Sequence, residues 1–358
     1  MSNRNYKGQT FLILALILSC SVLLNAQTAR KAEEVIPRDG LPHVSAKLRA
    51  GKQVSIAYLG GSITAANGWR DLSFNWIAQQ YPKARLNQIN ATISGTGSML
   101  GVFRMDKDVM QAHPDLIFIE FAVNDHGLPP ASIIRSMEGI VRKARTEDPD
   151  IDICFVYTLN LADLPKLQAG LDSDSSAAME QVADHYNIPS INFGVSVASL
   201  VTEGKLIFKG PLSPAGSPAS SPGQTTPAFS GDGTHPYTQT GHQLYLAAFT
   251  RSAPALLAAK STQSLALAPP LDPLNLSRAT ILPLDTVILH GDWKPAHLVD
   301  DSEQMGASSF PPALASSHPR DSITFSFDGD IFGVYGVKGG DAAQFTVVID
   351  GQKPITAA

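Results

Sequence analysis

Four segments of this chain carry the residue types needed for nucleophilic attack on a carbonyl carbon. In "YLGGSITAANGW" (58–69) an apolar run turns on two glycines and then presents the hydroxyl of Ser62. Asp232 and His235 stand three apart in "GDGTHP". Asn124 closes the run "DLIFIEFAVN", and Gly95 and Gly97 punctuate "SGTGS". A serine hydroxyl is a poor nucleophile until a base takes its proton. His235 has the chemistry of that base, because an imidazole titrates near neutral pH. Asp232 can hold the other ring nitrogen and stabilise the imidazolium that forms. Attack on an ester creates an oxyanion, which needs preorganised donors worth roughly 3 kcal/mol each. The backbone N–H groups of Ser62 and Gly95 and the side-chain amide of Asn124 can supply three. A glycine at 95 also allows close approach to the backbone.

These groups are useful only if the fold brings them together. The runs 53–60, 84–93, 115–123, "IDICFVYTL" and "IPSINF" read as strands. They alternate with stretches of helical spacing: "DLSFNWIAQQYP", "PPASIIRSMEGIVRKARTE", "SSAAMEQVADHYN" and "TQTGHQLYLAAFTRSAPALLA". Pro129 and Pro130 suit a helix start. The alternation predicts a doubly wound parallel sheet with helices on both faces, a three-layer α/β/α sandwich. In such a sheet the functional groups gather beyond the carboxyl ends of the strands. Ser62, Gly95 and Asn124 each follow a strand, and the Asp232–His235 pair precedes the last helix.

The rest of the chain sets bounds. Its 358 residues are 44% hydrophobic and 16% charged, with a net charge of −5. That is an ordinary globular composition, and no dense basic block points to nucleic acid. Residues 1–26 have the layout of a secretory signal peptide, with Arg4 and Lys7 ahead of "FLILALILSCSVLLNA". The mature chain is then expected to be secreted or periplasmic, with no stable membrane span. Cys20 and Cys154 are the only cysteines, so removing the leader leaves no internal disulfide; Cys154 reads as a core residue. No CxxC, HExxH or acidic calcium loop asks for a metal, and no cofactor is expected. Residues 210–230 form a Pro/Ser/Gly-rich loop. Residues 27–258 are the expected catalytic domain and 259–285 a linker. Residues 286–358 have the alternating texture of a small, incomplete β-sandwich module.

Together the four segments resemble the SGNH/GDSL hydrolase family, whose blocks supply Ser, Gly, Asn and His in that order. "YLGGSIT" matches the first block, with Gly61 where many members have aspartate; "NATISGTGS" resembles the second, "FAVND" the third and "DGTHP" the fourth. The similarity spans roughly residues 52–255. The second block places its glycine at Gly95, with Gly97 the alternative register. The resemblance implies ester hydrolysis through an acyl-serine, with Ser62, His235 and Asp232 catalytic and Ser62, Gly95 and Asn124 around the oxyanion.

"GGSIT", "GTGS" with "GVFR", and "FAVND" look like exported members that remove acetyl groups from carbohydrates, often with an added β-sandwich module. An acylated carbohydrate or other small ester is the expected partner. Arg104 and His126 are candidate substrate contacts, with a surface arginine the competing reading of Arg104. The Asp-x-x-His spacing favours His235 over His126 as the base. Trp69, Trp293 and Tyr237 are candidates for stacking on sugar, against ordinary packing. Asp125 is expected to bond local backbone amides, and Glu120 and His242 to be structural. A carbohydrate O-acetyltransferase on the same residues, or a non-catalytic glycan-binding protein, are the competing functions; the second would be expected to lack Ser62 or His235.

Overall fold

The computed structural model describes residues 29–212, 226–259, 267–296, 313–329, 331–334 and 344–357. The expected leader, and most of the loop 210–230, lie outside the described residues.

Six strands form one sheet: β1 (Val35–Ile36), β2 (Gln53–Gly60), β3 (Arg85–Thr92), β4 (Leu116–Glu120), β5 (Asp152–Tyr157) and β6 (Ser190–Asn192). Their spatial order is β1-β6-β5-β4-β2-β3. Pairing is parallel throughout β3-β2-β4-β5-β6, and only the two-residue edge strand β1 runs antiparallel. The chain leaves β2 toward β3 on one side, then returns to lay β4 on the other. The loops after β2 and β4 therefore diverge and open a crevice at a topological switch point.

The helices are α1 (Pro42–Arg49), α2 (Ser62–Ala65), α3 (Trp69–Gln80), α4 (Ser98–Asp108), α5 (Pro130–Glu147), α6 (Leu164–Gln168), α7 (Asp174–Tyr186), α8 (Gly194–Thr202) and α9 (Gly241–Leu257). Successive strand residues point to opposite faces, so each central strand feeds two cores. Val54, Ile56 and Tyr58 of β2 join Leu116 and Phe118 of β4 in a cluster with side chains of α1, α3, α8 and α9. Ala57 and Leu59 join Ile117 and Ile119 in a second cluster with side chains of α4, α5 and α7. The three-layer α/β/α sandwich is thus present, with both faces of the sheet covered. Cys154 is buried, as expected.

One detail differs from the sequence reading, and two others fill it in. The run 115–123 is not strand to its end: β4 stops at Glu120, and Ala122 onward turns into the loop that carries Asn124. Much of the expected linker is fastened down. Glu138 on α5 accepts the N–H groups of Leu271 and Asp272, Arg135 pairs with Asp272 at 2.9 Å, and Leu276 packs on Gly139. In the C-terminal region the described strands form three separate antiparallel pairs: Ile288–His290 with Ser322–Thr324, Lys294–Ala296 with Ala313–Ala315, and Phe345–Val347 with Ile355–Ala357.

Candidate active site

Ser62 is the first residue of α2, directly after β2 and Gly61. The first N–H groups of a helix have no acceptor within it, so the Ser62 N–H is free for a ligand oxygen. Its hydroxyl is 2.9 Å from Nε2 of His235, and Nδ1 of His235 is 2.6 Å from Oδ2 of Asp232. Residues 173 positions apart thus meet in one hydrogen-bonded line.

The Asp232–His235 loop is built to hold that line. Oδ1 of Asp232 accepts from the backbone N–H of Thr234 at 2.7 Å and of His235 at 2.8 Å, and from the Ser230 hydroxyl at 2.9 Å. Ser230 in turn accepts from the Gly233 N–H. Partial burial opposes ionisation of Asp232, but the bond from the His235 ring and these other donors outweigh it. They hold the carboxyl well below the usual range, so it is an acceptor throughout neutral pH.

Asn124 lies directly against Gly61. A Cβ built at position 61 would come within 2.1 Å of the Asn124 Oδ1 and 3.0 Å of its Nδ2. This gives a physical reason for glycine at position 61: the amide occupies the space of a side chain. The two glycines of "SGTGS" have different parts. Gly95 has φ +72°, a left-handed conformation that suits glycine, and no heavy atom lies near where its Cβ would be. It is exposed on the rim. Gly97 is a packing glycine, since its Cβ would lie 2.2 Å from Oδ1 of Asp125. These positions favour Gly95 over Gly97 as the residue whose backbone faces a ligand.

Behind the rim lie buried acids. Glu120, paired with Gly60 across the sheet, accepts the hydroxyls of Thr64 on α2 and Thr158 at the end of β5, each at 2.7 Å. Burial pushes its pKa up to about 7 against those two bonds, with Asp125 adding to the rise. Asp125 accepts the Ser98 N–H at 3.0 Å, and burial lifts it to about 6. His242 is also buried; its Nδ1 accepts the Trp69 N–H at 3.1 Å, and burial, then the charge of His235, lowers its pKa to about 4. The backbone role read for Asp125 and the structural roles read for Glu120 and His242 agree with these positions.

Two proposed ligand contacts are corrected. Arg104 is 3% exposed, with its guanidinium bonded to the carbonyls of Ala91 and Gly60 and to Asp108. It points into the protein to bond carbonyls near the carboxyl ends of β2 and β3, so it is neither a rim contact nor a surface arginine. Trp69 is 1% exposed, wedged among Tyr58, Phe118 and Phe193 with Nε1 on the Thr64 hydroxyl, and cannot meet a sugar face. Tyr237 is half-buried and donates to the Gly210 carbonyl, and Trp293 is half-buried in the C-terminal region. His126 does stand on the rim, bonded through Nδ1 to Asp163.

Residues 58–244, more than half of the chain, match the family model described as GDSL-like lipase/acylhydrolase. The chain belongs to the GDSL-like lipase/acylhydrolase family. Ser62, Gly95, Asn124, Asp232 and His235 all fall within the matched region. Among solved structures it is similar to a two-domain esterase (CEX) active on acetylated mannans, crystallised with mannopentaose. That match has a TM-score of 0.57 and 22% identity, over 82% of this chain and 75% of the other. A second structure of a two-domain esterase (CEX) active on acetylated mannans matches with a TM-score of 0.57 and 21% identity, over 76% of this chain and 71% of that one. No curated protein matches the chain. At these identities the likeness shows the fold, and the family model shows an acylhydrolase.

The sequence reading left Glu120 as structural without saying what it holds, and it missed Asp163, Ser230 and the threonines 64 and 158, which hold the rim from below. One signal was available for Glu120. An acid inside the apolar run "DLIFIEFAV" is costly to bury unless donors meet it.

Proposed function

We propose that this chain is a serine esterase that removes acetyl groups from carbohydrate. One observation carries the reading: the unbroken hydrogen-bond line from Ser62 through His235 to Asp232 at the switch point of the sheet. In the reaction, Nε2 of His235 takes the Ser62 proton as Oγ attacks the ester carbonyl. Asp232 holds Nδ1–H and stabilises the imidazolium. The N–H groups of Ser62 and Gly95 and the amide of Asn124 receive the oxyanion. The tetrahedral intermediate collapses, and the sugar alcohol leaves with the proton from His235. Water, deprotonated by the same imidazole, then releases acetate and restores Ser62.

The preference for acetylated sugar is supported by the fold shared with an esterase active on acetylated mannans. Export to the periplasm or beyond belongs to the same proposal and rests on the N-terminal sequence. Turnover of p-nitrophenyl acetate by purified protein tests the chemistry. Ser62→Ala is expected to abolish it, and an unchanged rate would remove Ser62 as the nucleophile. Acetate release from acetylated mannan and xylan, with and without an acceptor sugar, tests the substrate class and separates hydrolysis from acetyl transfer.

A further inference from the structure

A second histidine–carboxylate pair stands on the rim, outside the line just described. His126 lies two residues beyond Asn124, and its Nδ1 is 2.9 Å from Oδ1 of Asp163. The two are opposites in exposure: the His126 side chain is 44% exposed and that of Asp163 only 4%. Asp163 precedes α6 in the loop leaving β5. That loop is tied to the catalytic one, because the Leu161 N–H donates to the carbonyl of Gly233, between Asp232 and His235. The imidazole is therefore held between its own loop, that of Asn124, and the β5 loop, which is in turn tied to the loop of His235.

A buried carboxylate is costly unless it is paired. Among the described residues its side-chain hydrogen-bond partner is His126, since Asn160 spends its side chain on the N–H groups of Ala162 and Asp163. Oδ2 of Asp163 is buried with no hydrogen bond among the described residues. The acid is thus committed to the ring, and it fixes the tautomer: Nδ1 carries the proton and donates to Asp163. The neutral ring then presents Nε2 as an acceptor. Nε2 has no partner among the described residues. The side chains of Leu128, two residues after His126, and of Leu161, two residues before Asp163, are exposed. An exposed acceptor on loops that also carry exposed apolar side chains matches the chemistry of a pyranose, which offers hydroxyl donors around apolar C–H faces.

Resting on the esterase reading, we propose that Nε2 of His126 accepts a hydrogen bond from a free hydroxyl on the sugar that bears the ester. His126 thereby selects sugars that are not fully acetylated, and Asp163 is the positioning residue that keeps the acceptor nitrogen outward.

The test compares kcat/KM on a methyl glycoside with one acetyl ester and free neighbouring hydroxyls with kcat/KM on the fully acetylated glycoside. Loss of one such bond lowers the ratio of the two by about 10-fold in His126→Phe, which keeps a ring and removes both nitrogens. Asp163→Ala removes the acceptor that holds Nδ1–H, so the tautomer is no longer fixed and the ratio falls in the same direction. A ratio that stays at the wild-type value in His126→Phe overturns the assignment, as does an equal loss on both substrates. Ser62→Ala keeps the two claims apart. The esterase reading rests on whether that variant loses turnover of both glycosides, and the role of His126 rests on the ratio alone.

Discussion

Replacing Asp232 by asparagine removes one charge and keeps the shape, and the structure dictates how the new amide must sit. Oδ1 receives three donors, from Thr234, His235 and Ser230, whereas Oδ2 receives one, from the His235 ring. An amide has one acceptor end. Turning its NH2 toward the three donors would lose all three bonds, so the carbonyl must face them and the NH2 must face Nδ1. The ring then accepts at Nδ1 and carries its proton on Nε2, 2.9 Å from the Ser62 hydroxyl. The base has lost the lone pair it needs. This fault is one of proton placement, so solvent screening of a side chain 55% exposed does not relieve it. The same substitution in the serine-protease triad costs about 10⁴-fold in kcat, which is roughly 5.4 kcal/mol on the barrier. Initial rates on p-nitrophenyl acetate, with a thermal melt to confirm folding, are the assay. Asp232→Ala imposes no tautomer and should fall no further than the asparagine variant. An Asp232→Asn enzyme within 10-fold of wild type would refute the reasoning, because the imidazole would then be working without the orientation assigned to it.

Other consequences can be measured with the same tools. In Gly61→Ala the added methyl would lie 2.1 Å from the Asn124 oxygen, so the amide must swing away; kcat should fall about 10²-fold, the cost of one oxyanion donor. Stability should decrease from pH 5 to pH 8, as read by thermal melts. Glu120 (about 7), Asp172 (about 7), Asp125 (about 6) and Asp152 (about 6) are raised by burial. Raised acids stabilise the fold fully below their unfolded pKa, and that stability is lost as pH rises through the folded value. His242, lowered to about 4 by burial and by His235, acts in the opposite sense, but one imidazole is outweighed by four carboxyls. A melting temperature that rose across this interval would contradict the burial assigned to them. Glu120→Gln should flatten the dependence, removing about 3 kcal/mol of it by the linkage relation. The oxygen of the introduced amide can take the Thr64 proton, because Thr64 already accepts from Trp69, while the amide NH2 faces Thr158.

The parts of this structure that could be read from the sequence are those where one residue type at one place has one physical use. The buried run of β2, the glycine turn after it and the Asp-x-x-His spacing are of that kind, and they fall where expected. Pro130 does begin its helix. The failures have a common cause: a long polar or aromatic side chain does not announce its direction. Arg104 reads as a rim cation, yet its guanidinium turns inward to carbonyls of Ala91 and Gly60 that only the folded sheet places nearby. Trp69 is open in the sequence between stacking on sugar and ordinary packing, and the three aromatic rings that enclose it make it a packing residue. The stretch 259–285 reads only as a linker because Pro, Leu and Asp carry no period. Its fastening comes from side chains on a helix more than 130 residues earlier, Glu138 and Arg135 among them.

The same logic explains why the residues of the rim depend on residues that do no chemistry. Three of the ties that hold the rim loops sideways are buried carboxyls. Glu120 ties the turn of Ser62, through Thr64, to the end of β5. Asp125 ties the loop of Asn124 to the start of α4, just beyond Gly95. Asp163 ties the β5 loop back to His126. A loop whose only restraint is its own backbone opens at low free-energy cost, whereas an oxyanion site must hold its donors in place before the charge develops. Exposed acids would serve poorly as ties, because water competes for their oxygens. Buried ones bind their hydroxyl and N–H partners strongly, and the raised pKa values of Glu120 and Asp125 reflect that burial. It follows that substitutions at these acids should lower kcat through lost alignment of Ser62 and Asn124, even though none of the three touches the reacting carbon.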